Sequence, residues 1–208
     1  MKLKKIASLA LAGIMAVSML TACGEGGKKE EDPSSSEVTT VSGAAAALNN
    51  ALSQNKDVVK FEDDSNLDKN LEAYFKLNPI KGDEWVESNY GNVGVDNEFN
   101  YLKDAVGFDY DGVTNYNTVV TDKTTNYVDK SAAIIGMFNS KVYTQAEALK
   151  MVGKTIDNYD YAEDSTDTKD GKEFTYSGKA SVLEVKSEGG TASVWVVVAV
   201  VTKGYEKV

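Results

Sequence analysis

An uninterrupted apolar run near the C-terminus, Val194 to Val201, restricts the fold more than any other feature of the sequence. The run is too short to cross a bilayer as a helix, which needs about 20 apolar residues. A mostly β-branched segment that is apolar at every position is typical of a strand covered on both faces. The segment from Phe174 to Ser187 is also strand-like. We therefore predict that the apolar run is an interior strand, paired with the Leu183 to Ser187 region through a turn at Glu188-Gly189-Gly190.

Helical patterns occur in three other segments. Residues 44–53 are rich in alanine and have two leucines four positions apart, which favours a helix. Residues 67–75 place apolar side chains at helical spacing before the stop at Asn78-Pro79. Thr144 and Glu147 match a capping box, in which hydroxyl and carboxylate each satisfy a free backbone N–H. The apolar positions of the second and third segments are Leu67, Leu71, Tyr74, Phe75, Leu149, Val152 and Ile156.

Strand patterns complete the prediction of the fold class. Residues 57–62 could form a short strand, and residues 113–128 alternate loosely and suggest a hairpin. Residues 80–117 are rich in Gly, Asn, Asp and aromatic residues, which predicts loops and short strands. The sequence thus predicts an α+β fold, with a mainly antiparallel sheet, a C-terminal hairpin and two or three helices.

The N-terminus has the order of features found in a secretory signal. Three lysines precede an uncharged apolar stretch, residues 6–20, and small residues follow it. The string Leu20-Thr21-Ala22-Cys23 resembles the lipobox of bacterial lipoproteins. The resemblance implies that a diacylglyceryl group is attached to the Cys23 sulfur and that the chain is cut before this residue. Two acyl chains would then hold the protein at the extracytoplasmic face of the cell membrane.

The composition divides the rest of the chain into two parts. Residues 23–43, which begin with the lipidated cysteine, are rich in Gly, Ser and charged residues and predict a flexible linker. Residues 44–208 have the composition and length of one globular domain. We expect residues 1–22 to be the signal peptide.

The charged residues exclude several classes of function. All 22 cations are lysine, and no Arg or His occurs, against 32 Asp and Glu. Removing residues 1–22 takes away three lysines and leaves a net charge of 19 − 32 = −13. Nucleic acid is therefore not an expected partner, because its phosphates repel such a chain. Without His, and with its one Cys lipidated, the chain lacks the usual catalytic triads and zinc sites. We assign no catalytic residue, metal or cofactor.

Two short patterns invite a chemical interpretation. Ser53 and Lys56 match the Ser-x-x-Lys pattern of penicillin-binding enzymes, but a helix end and a turn explain them better, because short motifs recur by chance. Residues 157–170 are rich in acids, as calcium sites are, but their spacing does not match the known calcium loop. A solvated acidic loop is the preferred interpretation, and calcium binding stays open.

The best candidate for ligand binding is the stretch from residue 85 to residue 116. It sets aromatic rings among asparagines, a mixture that suits a neutral glycan. The candidate residues are Trp85, Tyr90, Asn92, Tyr101 and Tyr110. We expect a binding module of the cell envelope, for a neutral glycan, a solute or a protein. Two other functions stay open: an assembly or scaffold subunit of an envelope complex, and an envelope enzyme that uses carboxylates.

Overall fold

A computed structural model describes residues 37–80, 82, 86, 92–95, 102, 106, 116–163, 172–189 and 191–207. Residues 92–95 are described by their backbone only. The strands are β1 (Val38–Thr40), β2 (Val59–Asp63), β3 (Asn92–Val95), β4 (Ser131–Asn139), β5 (Lys172–Lys186) and β6 (Ser193–Lys207). The helices are α1 (Ala44–Ala51), α2 (Ser65–Leu77), α3 (Tyr116–Thr121) and α4 (Gln145–Asp157), with a 3-10 turn at Thr125–Tyr127.

The strands form one six-stranded sheet with β6 inside it. The order is β1-β5-β6-β4-β3, and β2 pairs with β5 in parallel. β5 and β6 make a long antiparallel hairpin, in which Leu183 faces Val196 and Val185 faces Val194. The outer edge of β5 is shared, because β1 pairs with Leu183–Val185 and β2 with Tyr176–Ala180. The predicted C-terminal hairpin and the α+β class are confirmed.

Each face of the sheet carries its own core, and β6 contributes alternate residues to both. Val197, Ala199 and Val201 pack on one face with α1, α3 and α4. Val196, Val198 and Val200 pack on the other face with α2 and the buried residues Val86, Leu102 and Val106. This arrangement explains why the run is apolar at every position: a strand with a core on each side has no polar face.

Two of the helices, α2 and α4, begin at residues whose side chains cap them. The Asp64 carboxylate accepts hydrogen bonds from the backbone N–H groups of Asn66 and Leu67 at the start of α2. Thr144 and Glu147 form the predicted capping box at the start of α4. Leu149, Val152 and Ile156 are buried, as their spacing predicts. No described helix is long and apolar enough to cross a membrane.

Two predictions need correction. The hairpin predicted for residues 113–128 is wrong where the structure describes it, because Tyr116–Thr121 is helical and Thr125–Tyr127 is a 3-10 turn. The segment predicted as linker, residues 23–43, contains β1. These residues are polar or β-branched, and they become ordered by adding to the free edge of β5.

Candidate binding site

A pocket of about 230 Å³ lies between the start of α2 and the sheet. Its floor is apolar and comes from Leu67 of α2, Val200 of β6 and Val106. Its walls carry amides, hydroxyls and two opposite charges. We call it the α2 pocket, and its polar residues are Asp64, Asn66, Asn70, Ser131, Lys179 and Thr202.

Strand pairing and the helix cap fix the position of these polar groups. Ser131 and Thr202 face each other across β4 and β6, and their hydroxyls are 2.7 Å apart. Asn66 and Asn70 are one turn apart on α2 and point their amides outward, since both residues are exposed. The pocket therefore offers hydroxyl and amide groups that both donate and accept hydrogen bonds.

The two charges of the α2 pocket neutralise each other. The Lys179 ammonium lies 2.5 Å from the Asp64 carboxylate, of which 16% of the side chain is exposed. The hydrogen bond from Lys179, followed by that from the backbone of Leu67, lowers the pKa of Asp64 below its ordinary value. Asp64 therefore stays ionised at neutral pH. Its carboxylate oxygens already accept hydrogen bonds from the first backbone N–H groups of α2 and contact the Lys179 ammonium. The arrangement favours an uncharged ligand over an ionic one.

The predicted ligand-binding residues fall mostly outside the described residues. Trp85, Tyr90, Tyr101 and Tyr110 do so, as does Cys23. Asn92 begins β3, where its backbone is paired opposite Met137. Val86, Leu102 and Val106 of the same stretch are buried on the α2 face of the sheet, and Val106 lines the α2 pocket. Tyr116, at the end of the stretch, is buried on the other face.

Ser53 and Lys56 lie in the turn that follows α1. The Ser53 hydroxyl donates a hydrogen bond of 2.7 Å to Asp157, and Lys56 is exposed. Asp157 also accepts hydrogen bonds from the backbone N–H groups of Ser53, Gln54 and Asn55. Its carboxylate thus fastens the turn after α1 to the end of α4. The interpretation as a helix end and a turn agrees with this geometry.

Among the described residues of the acidic stretch, the carboxylates do not form a cluster that could bind calcium. Asp157 is used in the turn contact, whereas Asp160 and Glu163 line a shallow pocket together with Lys123. No group of three or more Asp or Glu residues converges among the described residues. Residues 164–170 lie outside them.

Sequence reasoning missed a buried lysine, Lys203 of β6. It is fully buried, donates to the backbone carbonyl of Asp122, and its Nζ lies 3.7 Å from the centre of the Phe174 ring. Burial lowers the pKa of its ammonium, and the nearby charge of Asp122 partly opposes this. The alternation along β6 could have revealed it. Lys203 follows Val197, Ala199 and Val201 at every second position, and these three side chains pack on the face that α1, α3 and α4 cover.

The fold and the pocket together define an α+β domain with a small, mostly neutral polar pocket on one face of its sheet. No family model, no curated protein and no solved structure matches the chain. The function must therefore be inferred from the site and from the signal peptide that the sequence predicts.

Proposed function

We propose that this chain is a lipid-anchored domain of the bacterial cell envelope that binds a neutral polyhydroxyl ligand, such as wall glycan, in the α2 pocket. The observation that carries the proposal is the composition of the pocket. Amides and hydroxyls surround an apolar floor, and the charges are already paired. Sugars present alternating hydroxyls and apolar C–H faces, which such a surface complements.

The size of the pocket limits the ligand. Its volume of about 230 Å³ is below the range of roughly 300–1,000 Å³ that is usual for larger ligands. The pocket would accommodate about one sugar ring, and the rest of a glycan chain would extend onto neighbouring surface.

A titration of the soluble domain tests the binding proposal. Asn70→Ala and Thr202→Val should each weaken binding of neutral wall oligosaccharides about tenfold, because each removes one or two hydrogen bonds to the ligand. Calorimetry and the rise in melting temperature measure the effect. Asn117→Ala is the matched control, since Asn117 is also exposed on a helix but lies on the other side of the sheet.

The result can contradict the proposal in two ways. If no neutral oligosaccharide binds the wild-type domain, the ligand class is wrong. If the oligosaccharides bind and the pocket variants bind them as well as Asn117→Ala does, the site lies elsewhere. Trp85→Ala and Tyr90→Ala would then show whether the predicted aromatic residues carry the binding, and scaffold assembly is the next function to test if they do not.

The anchoring half of the proposal has its own test. Expressed in a bacterial host with a labelled fatty acid, the precursor should incorporate label, and the Cys23→Ser variant should incorporate none, because the thioether forms on the only cysteine. Fractionation should place the wild type with membranes. Equal labelling of the two proteins, or release of the wild type into the medium, would show that the N-terminus is not a lipobox.

A further inference from the structure

The chain enters the domain at one defined end of the sheet. Glu37 precedes β1, and its carbonyl accepts a hydrogen bond from the backbone N–H of Lys186 at the end of β5. Their side chains also form an ion pair of 2.6 Å. We call this the entry end of the sheet, and it includes the end of β5, the start of β6 and the end of β4.

The α2 pocket lies toward the opposite end. Its strand residues Lys179, Thr202 and Ser131 are six to eight positions from Val185, Val194 and Asn139 at the entry end. At about 3.3 Å per residue, this separation amounts to roughly 20–25 Å along the sheet.

Two large apolar side chains are exposed at the entry end. Leu77 closes α2 and is 82% exposed, and Val142 follows β4 and is 55% exposed. The pairing of Ile80 with Ser187 places the end of α2 beside the end of β5. The hydrogen bond from Ser140 to Ser193 places the turn that contains Val142 beside the start of β6. These two are the exposed large hydrophobic residues among those that the structure describes.

Each of the two apolar residues directly follows a lysine, Lys76 or Lys141. An apolar tip next to an ammonium matches the boundary of a lipid bilayer, where acyl chains meet phosphates. The net charge of −13 disfavours an anionic surface as a whole, so a zwitterionic bilayer is the partner that fits.

The distance from the lipid site to the domain is short. Residues 24–36 separate Cys23 from Glu37, and even a fully extended chain of this length spans no more than about 50 Å. A lipid on Cys23 would therefore hold the entry end at high effective concentration near the bilayer, where weak contacts suffice.

We infer that the entry end of the sheet rests on the membrane surface through Leu77 and Val142, so that the α2 pocket faces away from the bilayer. This inference rests on the lipid anchor of the proposed function. It deepens that proposal by assigning the anchored domain a fixed orientation. A ligand that belongs to the wall rather than to the membrane would meet the pocket in this orientation.

Amine footprinting tests the orientation on the mature chain, residues 23–208. The thiol of Cys23, the only one in the chain, is coupled to a maleimide lipid in phosphatidylcholine vesicles. Lysines are then labelled with an amine-reactive ester and measured by mass spectrometry, with the uncoupled, thiol-capped chain as the reference. Labelling of Lys76 and Lys141 should fall about threefold or more on vesicles. Lys60 and Lys130, which are exposed on β2 and just before β4, should be unaffected.

A double variant, Leu77→Asp with Val142→Asp, separates contact from simple proximity. Coupled in the same way, it should lose the protection of Lys76 and Lys141. The inference is overturned if protection is absent or equal at both ends, or if it persists in the double variant. Because the anchor is supplied chemically, this outcome is independent of fatty-acid labelling in cells and of ligand titration, which test the proposed function.

Discussion

Replacing Val197 by aspartate should destabilise the domain by at least about 4 kcal/mol, the largest effect that we expect from one substitution. Val197 is fully buried in β6, between Gly136 of β4 and Val182 of β5. Its core cluster consists of hydrophobic residues, so a carboxylate there would be desolvated, which is costly. Urea unfolding monitored by circular dichroism measures the loss, and the melting temperature should fall by roughly 10 °C or more.

Val142→Asp is the matched control for this substitution. It makes the same chemical change at a valine that is 55% exposed, so its effect on stability should stay within about 0.5 kcal/mol. If Val197→Asp melts within a degree or two of the wild type, β6 is not the interior strand and the topology is wrong.

The second large effect is expected at Asp157. Asp157→Ala should cost about 3 kcal/mol, because it leaves the backbone N–H groups of Ser53, Gln54 and Asn55 without their acceptor. Asp157 is 8% exposed, so water replaces the lost carboxylate poorly. Asp160→Ala removes an exposed carboxylate three residues further on and should have little effect. Equal stability of the two variants in urea would show that the contact contributes nothing.

This contribution should depend on pH in a defined direction. Burial by itself would raise the pKa of Asp157, but the hydrogen bonds from Asn55, Ser53 and Gln54 outweigh it and lower the pKa below the ordinary value of 3.8. A lowered pKa in the folded state means that the stabilisation is complete well above 3.8 and is lost as the pH falls below it. The difference between wild type and Asp157→Ala should therefore shrink between pH 5 and the acid limit of folding, as followed by urea unfolding at each pH. A constant difference would contradict the assignment.

The parts of the fold that follow from local pattern could be predicted. The hairpin of β5 and β6 follows from two apolar segments around Glu188-Gly189, and the start of α4 follows from Thr144 and Glu147. In each case the residues that define the element are close in sequence, so the pattern and the structure depend on the same contacts.

The wrong predictions concern segments whose local pattern was ambiguous, or whose secondary structure depends on a partner that is distant in sequence. Tyr116, Val119 and Val120 are buried at helical spacing, but the loose alternation around them suggested strands. Val38–Thr40 have no apolar pattern of their own and become a strand only because β5 offers a free edge. A short window of sequence shows neither the packing that makes Tyr116–Thr121 helical nor the edge of β5 with which Val38–Thr40 pair.

For the candidate site, the sequence indicated only which ligand chemistry to propose. The missing Arg and His and the many asparagines favour a neutral, polyhydroxyl ligand, and this stays a prediction. The α2 pocket itself depends on Asp64 meeting Lys179 and on Ser131 meeting Thr202, pairs that are far apart in the chain. Their contacts exist only after the sheet has formed, so no spacing rule could reveal them.

The central position of β6 has a consequence for the order of events during synthesis. β4 and β5 are not paired with each other, and β6, which follows every other described element in the chain, pairs with both of them. Before β6 is synthesised, β4 and β5 each have an unpaired edge, and both cores lack the residues that β6 contributes. Early collapse of such a chain therefore gains little stability. We expect such a chain to stay largely unfolded until β6 has been synthesised. An unfolded chain of this kind is what the proposed export of a lipoprotein through a narrow translocation channel requires.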